Sequence, residues 1–343
     1  MYDCTIIGGG IIGLMTAREL LLAGLKVAVI DKGRAGMECS WAGGGILSPL
    51  YPWRESTALA ELTLWSQQFY PDLANKLHAA TGIDPEWQRC GMKIIATAEQ
   101  DEALAWATSH TIPIDVSSSD DALWLPDTAQ IRNPALISAL KKYLQQAGVE
   151  IHEYTTVARF RIHNHQVEAI ETSRGIFKST VTVLANGAWG ADLLPDLDIR
   201  PVRGQMICYQ AMPGYIRHIL LKNSIYIIPR RDGHILVGST VEDVGFEKGT
   251  TEAARTFLAE SAEDMLPGIN HFPVISHWSG LRPATQTGLP YICKHSELNG
   301  LFLNIGHHRN GILLAPGSAR LLTDIILDRE TTMSAAAFQI CQN

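Results

Sequence analysis

Two glycine-rich runs in this chain have the composition and spacing to do chemistry. The first, Gly8-Gly9-Gly10-Ile11-Ile12-Gly13, follows an apolar run ending at Ile7 and opens a helical pattern over 11–23. A second apolar run, Lys26-Val27-Ala28-Val29-Ile30, then closes on Asp31. Strand, glycine turn, helix, strand and an acid about 20 residues on form the βαβ fingerprint of an adenine dinucleotide site. Gly8 permits the tight turn, Gly10 lets the backbone approach a pyrophosphate, and Gly13 lets helix and strand close up. The free N–H groups and the dipole at the helix start favour phosphate charge. Asp31 suits both ribose hydroxyls, and its charge disfavours a 2′-phosphate. The second run, Ala42-Gly43-Gly44-Gly45-Ile46, sets three glycines among apolar neighbours. That pattern predicts backbone pressed against a flat, bulky group such as a flavin ring.

The elements that must position these residues are legible in outline. Apolar spacing predicts helices over 55–77, 251–266 and 311–327. Asn133 reads as an N-cap with Pro134 at the first helical position, opening a helix that ends near 146. Between 78 and 133 the pattern is mixed, with a strand-like piece at 91–95 and a polar loop around 117–121. Residues 149–151 read as a strand and 155–184 as a β-meander, with His163 and His165 at a hairpin tip. The run Val181-Thr182-Val183-Leu184-Ala185 leads into Asn186-Gly187-Ala188-Trp189, where a returning parallel strand would meet a cofactor's edge. Alternation dominates 203–240, with a hairpin signal at Arg231-Asp232-Gly233. Strands are expected at 274–281 and 301–305, and the tail beyond the last helix is expected to be loosely held. Nucleotide-like parts at the beginning, middle and end, with antiparallel segments between them, favour a flavoprotein plan over a simple NAD dehydrogenase. The fold class expected is α/β, a Rossmann-like FAD-binding domain interleaved with a substrate domain on a mainly antiparallel sheet. The FAD-binding part comprises 1–75, 134–200 and 280–343, the substrate-binding part 76–133 and 201–279.

Composition narrows the function classes. With 343 residues, 46% of them hydrophobic, the chain has ample material for a large core, which excludes disorder. The formal charge is −7 and no Lys/Arg cluster is dense enough to track a phosphate backbone, so nucleic acid is not an expected partner. No run of about 18 apolar residues and no signal-like N-terminus is found. Six scattered cysteines without a CxxC pair point to a reduced, cytoplasmic protein. There is no GxSxG, Walker loop or HExxH, so hydrolase and NTPase readings lack their parts.

Five segments together carry a family resemblance: the Gly8–Gly13 fingerprint, Ser40-Trp41-Ala42-Gly43-Gly44-Gly45-Ile46-Leu47-Ser48-Pro49, Pro201-Val202-Arg203-Gly204-Gln205, Trp278-Ser279-Gly280-Leu281-Arg282-Pro283 and Arg309-Asn310-Gly311-Ile312-Leu313-Leu314-Ala315-Pro316. The chain resembles the FAD-dependent amine oxidases related to D-amino acid oxidase, and within them the glycine oxidases of the thiamine pathway, over about residues 3–328. The resemblance implies hydride transfer from a small amino acid's α-carbon to FAD. The imine then yields glyoxylate and ammonia, and O2 reoxidises the flavin to give H2O2. It implies Arg282 on the substrate carboxylate, Tyr226 as a second donor and Arg309 near the same pocket. Cofactor contacts are implied for Gly8, Gly10, Ile12, Gly13, Asp31, Lys32, Ser40, Ala42, Gly43, Gly44, Gly45 and Ile46. Further along the chain they are implied for Val157, Asn186, Gly187, Trp189, His307, His308, Arg309, Asn310, Gly311 and Ile312. No general base stands out, and hydride transfer needs only a neutral amine, which a desolvated pocket favours. Pro283-Ala284-Thr285-Gln286 holds no cysteine where some relatives attach the flavin, so FAD is expected to be non-covalent.

Two departures bear on the pocket: His308 stands where many relatives have an aromatic residue, and Val241 where some have a substrate-contacting Met. Expected partners are a small amino acid, O2, a thiazole synthase as imine acceptor and further copies of the chain. Two rival readings remain at this point. One is a D-amino acid dehydrogenase feeding a membrane quinone, disfavoured by the Asp324-Ile325-Ile326-Leu327-Asp328 ending of the last helix. The other is a non-catalytic FAD-binding sensor or interaction protein.

Overall fold

The computed structural model describes residues 1–117 and 121–340, so most of the expected 117–121 loop, and Cys341, lie outside the described residues. Four consecutive buried residues end each of the first two strands, as a strand covered on both faces requires. Tyr2–Ile7 pairs in parallel with Val27–Ile30 on one side and Ser179–Leu184 on the other, with Cys4 opposite Val27 and Val181. The complete six-stranded sheet runs Tyr291–Lys294, Leu301–Ile305, Ser179–Leu184, Tyr2–Ile7, Val27–Ile30, Glu150–His152. Only its first pair is antiparallel. Helices Ile11–Leu22 and Gly311–Ile326 pack against each other and both against this sheet, in one continuous apolar core. Two glycines make that approach possible. Gly8 has φ +110°, and a Cβ on it would sit 2.3 Å from Ala185 O; a Cβ on Gly13 would sit 1.9 Å from Gly8 O.

The second large sheet has eight strands, in the order Val274–Ala284, Arg200–Gln210, His234–Gly238, Ile225–Pro229, Ile219–Lys222, Met92–Ile94, Ala122–Leu125, Asp115–Ser117. All its pairings are antiparallel except that of Ile219–Lys222 with Met92–Ile94. The expected α/β class, a Rossmann-like part joined to a mainly antiparallel sheet, is the fold found. The 155–184 segment divides: Val157–His163, Gln166–Thr172 and Gly175–Phe177 form a small separate sheet, and Ser179–Leu184 joins the parallel one.

Several local expectations need correction. The 55–77 helix is two helices, Thr57–Gln67 and Tyr70–Thr81, because Pro71 lacks an N–H and would clash with the carbonyl four residues earlier. Arg132, not Asn133, holds the N-cap position of Asn133–Gln146, which frees the Asn133 side chain for a longer-range role. Helix Gln100–His110 escaped the periodicity because Ala103 and Ala107 are its only buried residues. Strand Tyr291–Lys294 also went unseen, being only four residues long. The tail is anchored rather than loose: Phe338, in the short turn Ala336–Phe338, is fully buried in the core around helix Gly311–Ile326. Phe338→Ala is therefore expected to cost about 3–5 kcal/mol. A urea midpoint equal to that of the parent would show instead that the tail contributes nothing.

Candidate active site

The two large sheets meet along a cleft of about 1030 Å³. Every residue expected to touch cofactor or substrate lines it except Gly13, which is consumed in the helix–strand approach, and Val241. At one end helix Ile11–Leu22 begins with Gly10 in extended conformation and no side-chain cap of its own. Ser40 Oγ, from the short helix Cys39–Ala42, accepts one orphan bond from Ile11 N–H at 2.9 Å. Helix Gly311–Ile326 likewise starts at the cleft without a side-chain cap. Asp31 accepts from Gly9 N–H at 2.7 Å and Gly33 N–H at 2.8 Å, one on each oxygen. It thus braces the glycine turn and keeps spare acceptor capacity on both oxygens. Lys32 Nζ stands 3.4 Å over the Trp189 ring, which stacks on Phe246. Asn133 donates to Ser40 O at 3.0 Å and Gly43 O at 2.9 Å, which ties the glycine strap to its helix.

The other end is one face of the antiparallel sheet. Tyr226 stands opposite Gly238, Gly238 opposite Met206 and Met206 opposite Trp278. Two residues along, Gly204 faces Gly280; two further, Val202 faces Arg282. Period-two alternation puts all of these on the same face. The Arg282 guanidinium lies across Gly204, where a Cβ would sit 2.1 Å from its Nη2. It donates to Arg203 O at 3.3 Å, Thr240 O at 3.2 Å and Ser239 Oγ at 2.6 Å, and Tyr226 Oη donates to the same Ser239 oxygen at 3.1 Å. Three of the five guanidinium N–H groups are thereby used, which leaves two. Arg203, on the neighbouring strand, is instead neutralised by Glu242 at 2.5 Å. Among the described residues neither Arg282 nor Arg309 has an ion pair, although both line the cleft. Burial and the nearby Arg282 lower the pKa of Arg309, as two uncompensated cations in one pocket must.

A family model described as DAO, FAD dependent oxidoreductase, matches residues 3–325. The chain belongs to this family. It is 42% identical over 352 residues to a glycine oxidase of Pseudomonas aeruginosa, covering 97% of each chain. It is 34% identical to the bifunctional protein ThiO/ThiG of Synechocystis sp., covering 98% of this chain and 53% of that one. The crystal structure of glycine oxidase from Geobacillus kaustophilus superposes with a TM-score of 0.93 at 29% identity, covering 100% of this chain and 99% of that one.

As a member of the FAD-dependent oxidoreductases the chain takes non-covalent FAD. The cleft fits it. Two helix starts whose N-cap residues make no side-chain bond open onto the cavity, and Asn186 Oδ1 is buried on its wall with no partner among the described residues. The start of helix Ile11–Leu22 and Asp31 would hold the phosphates and ribose, and the 43–45 strap the ring. Cys39 also lines the cavity, but burial raises its thiol pKa, which keeps it protonated and poorly nucleophilic. No helix among the described residues is long and apolar enough to cross a membrane.

Sequence reasoning missed Gly204, Ser239 and Met206. The detectable signal was a glycine inside a strand pattern, which marks close approach. Val241, offered as a pocket residue, is 53% exposed and does not line the cleft; a thioether reaches the pocket from Met206 instead. His308 does line it, yet burial and the Arg282, Arg309 and Arg200 charges push its pKa down to about 4. Burial pushes His307, hydrogen-bonded to Ser318 Oγ at 3.0 Å, down to about 3. Neither imidazole titrates near neutrality in the folded protein. Unfolded, both take up protons near 6.5, so between about 6.5 and about 4 the unfolded chain binds more protons and stability falls as pH falls. Each histidine costs on the order of 1 kcal/mol per pH unit in that window. His308→Gln should flatten the decline of the urea midpoint between pH 6.5 and 4.5, and an undiminished slope would contradict this placement.

Proposed function

We propose that this chain oxidises glycine to glyoxylate, with ammonia and H2O2 as co-products, consuming O2 and water. The observation that carries the reading is the pair Arg282 and Arg309, two partly buried cations with no carboxylate partner among the described residues, beside a cavity fitted to FAD. Sequence relatives described as glycine oxidases support it along the full chain length.

In this reading the two remaining N–H donors of Arg282 hold the substrate carboxylate as a fork. On substrate entry Tyr226 turns its one hydroxyl proton from Ser239 Oγ to the same group, Ser239 donating to the tyrosine oxygen in return, and Arg309 compensates the carboxylate's charge. With the carboxylate fixed, the α-carbon has one place to lie, which removes orientational freedom before the chemical step. FAD, when bound, would supply the two-electron acceptor for the α-hydride, with O2 as the final oxidant. The cationic, desolvated wall favours the neutral amine, so the nitrogen lone pair is free to form the C=N bond as the hydride leaves. No side chain is required as a base; the imine's proton goes to water, and hydrolysis releases ammonia.

The substrate part comprises 76–133 and 201–279, and the FAD part the remaining three segments. The imine is handed to a thiazole synthase, a reading supported by the bifunctional Synechocystis relative that this chain matches over about half its length. The protein works in the cytoplasm as a homo-oligomer, and its five described cysteines are all free thiols.

Purified holoprotein given glycine and O2 should form H2O2 without added quinone; peroxide-free turnover that needs a quinone would favour the dehydrogenase reading. Arg282→Ala should lower kcat/KM for glycine by about 2–5 kcal/mol of transition-state binding, thirtyfold or more, and an unchanged value would remove Arg282 from the site. Gly204→Ala, which displaces the guanidinium without deleting it, should lower kcat/KM by about 100-fold while FAD still binds. Retained activity there would show that the guanidinium's position is not limiting.

A further inference from the structure

Arg230 is 7% exposed, immediately follows strand Ile225–Pro229, and does not line the cleft. Its guanidinium donates to Gly44 O at 2.8 Å, Gln130 Oε1 at 2.7 Å and Ile131 O at 3.1 Å. All three acceptors are neutral. The acids whose charge reaches it, Glu86 and Asp232, are both paired with Arg132, at 2.9 and 2.8 Å. Burial, with Arg132 close by, pushes the Arg230 pKa down to about 10, so the charge persists at neutral pH with no ion-pair partner among the described residues. A buried, unpaired cation is costly, so its location calls for a physical account.

The glycine strap is what holds it there. Gly43 O accepts from Asn133 Nδ2, Gly44 O from Arg230 and Gly45 O from Ile131 N–H at 2.9 Å. Three successive carbonyls therefore end on one buried cluster. Arg230, Gln130, Ile131 and Asn133 stand outside the cleft lining, whereas Gly43, Gly44 and Gly45 are part of it. In a trans peptide the N–H points opposite its C=O, so the N–H groups of Gly44, Gly45 and Ile46 turn toward the cavity. The peptide joining Gly44 to Gly45 has a full positive charge on its oxygen side. A charge-assisted bond there polarises the group and strengthens its N–H as a donor on the other side.

We propose that Arg230 is a positioning residue for the redox step, acting through the Gly44–Gly45 peptide to stabilise negative charge on the ring against the strap and so to raise the cofactor's midpoint potential. The inference rests on the flavin reading of the 43–45 strap. The hydride carries two electrons and one proton from the oxidised α-carbon to the ring, which is reduced and gains one negative charge. The positive charge behind the strap favours that product, and its field is strong because the path is buried and dry.

The test is an anaerobic reductive titration of bound flavin in the parent holoprotein, R230K, R230Q and Q130E. Gln130→Glu leaves Arg230 in place and sets a carboxylate where the Gln130 oxygen lies 2.7 Å from its Nη1, cancelling the charge at the cost of the Gln130 Nε2 bond to Pro229 O. R230K is expected to stay within about threefold of the parent in the oxidised-to-reduced ratio; R230Q and Q130E are expected to shift at least about tenfold toward the oxidised form, near 30 mV for a two-electron couple. A parent-like potential in R230Q or Q130E overturns the proposal. So does R230K falling as far as R230Q, which would leave Arg230 only a brace. Should R230Q fail to fold, Q130E decides. A parent protein that takes up no FAD is a different result, overturning the flavin reading and this inference with it.

Discussion

The molecule is organised around an unsatisfied charge. Among the described residues Arg282 and Arg309 face one cavity with no protein carboxylate to answer them, while Arg203 and Arg132 nearby are answered. Arg203 has Glu242 and Arg132 has Glu86 and Asp232. Leaving two guanidinium groups partly desolvated and unpaired is unfavourable in the free protein, and a small anion relieves it on entry. The structure holds this arrangement open by removing what would quench or displace it. Gly204 clears the sheet face under Arg282, and Ser239 joins Arg282 to Tyr226 so that neither swings free. Binding energy is thus stored as preorganisation on a rigid sheet, where it fixes the direction of a C–H bond.

That sheet must meet the nucleotide-binding half closely, and the chain order makes it do so. The cleft wall is assembled from the beginning, middle and end of the sequence: the 8–13 turn, the strand ending at Leu184, and the start of helix Gly311–Ile326. The strap at 43–45 crosses between the halves. Trp278 Nε1 donates to Ala42 O at 3.0 Å, and Gly280 leaves room for the Ala42 side chain. Asn133 and Arg230 hold the strap's carbonyls from behind. The same segment therefore belongs to both halves mechanically, which is why a cofactor seated on one wall can be aligned with a substrate gripped on the other.

The nucleotide half was legible because its signal is local. Glycine spacing, apolar runs and the acid at 31 all lie within about one βαβ unit, and each carries its own physical reason. The 43–45 strap was legible for the same cause, as three glycines in apolar company. Gly204, Ser239 and Arg230 were not, because their roles arise from register between strands distant in sequence. Gly204 matters only because it faces Gly280 beside Arg282, and Arg230 only because Gly44 arrives from 186 residues away. Asn133 was misread for a related reason: its side chain serves a tertiary bond rather than the helix start next to it. Helix Gln100–His110 hid behind alanine as its buried residue, and Phe338 behind the absence of any pattern around it.

The most direct measurement is to mix the FAD-loaded protein with glycine in the rigorous absence of O2 and record the visible flavin spectrum. A cationic pocket that aims a small zwitterion at the ring predicts bleaching of the oxidised flavin band, with one glyoxylate formed per flavin and the band restored on admitting air. A spectrum that stays fully oxidised with glycine, and with every other small amino acid or N-methylated amine tried, would contradict the account.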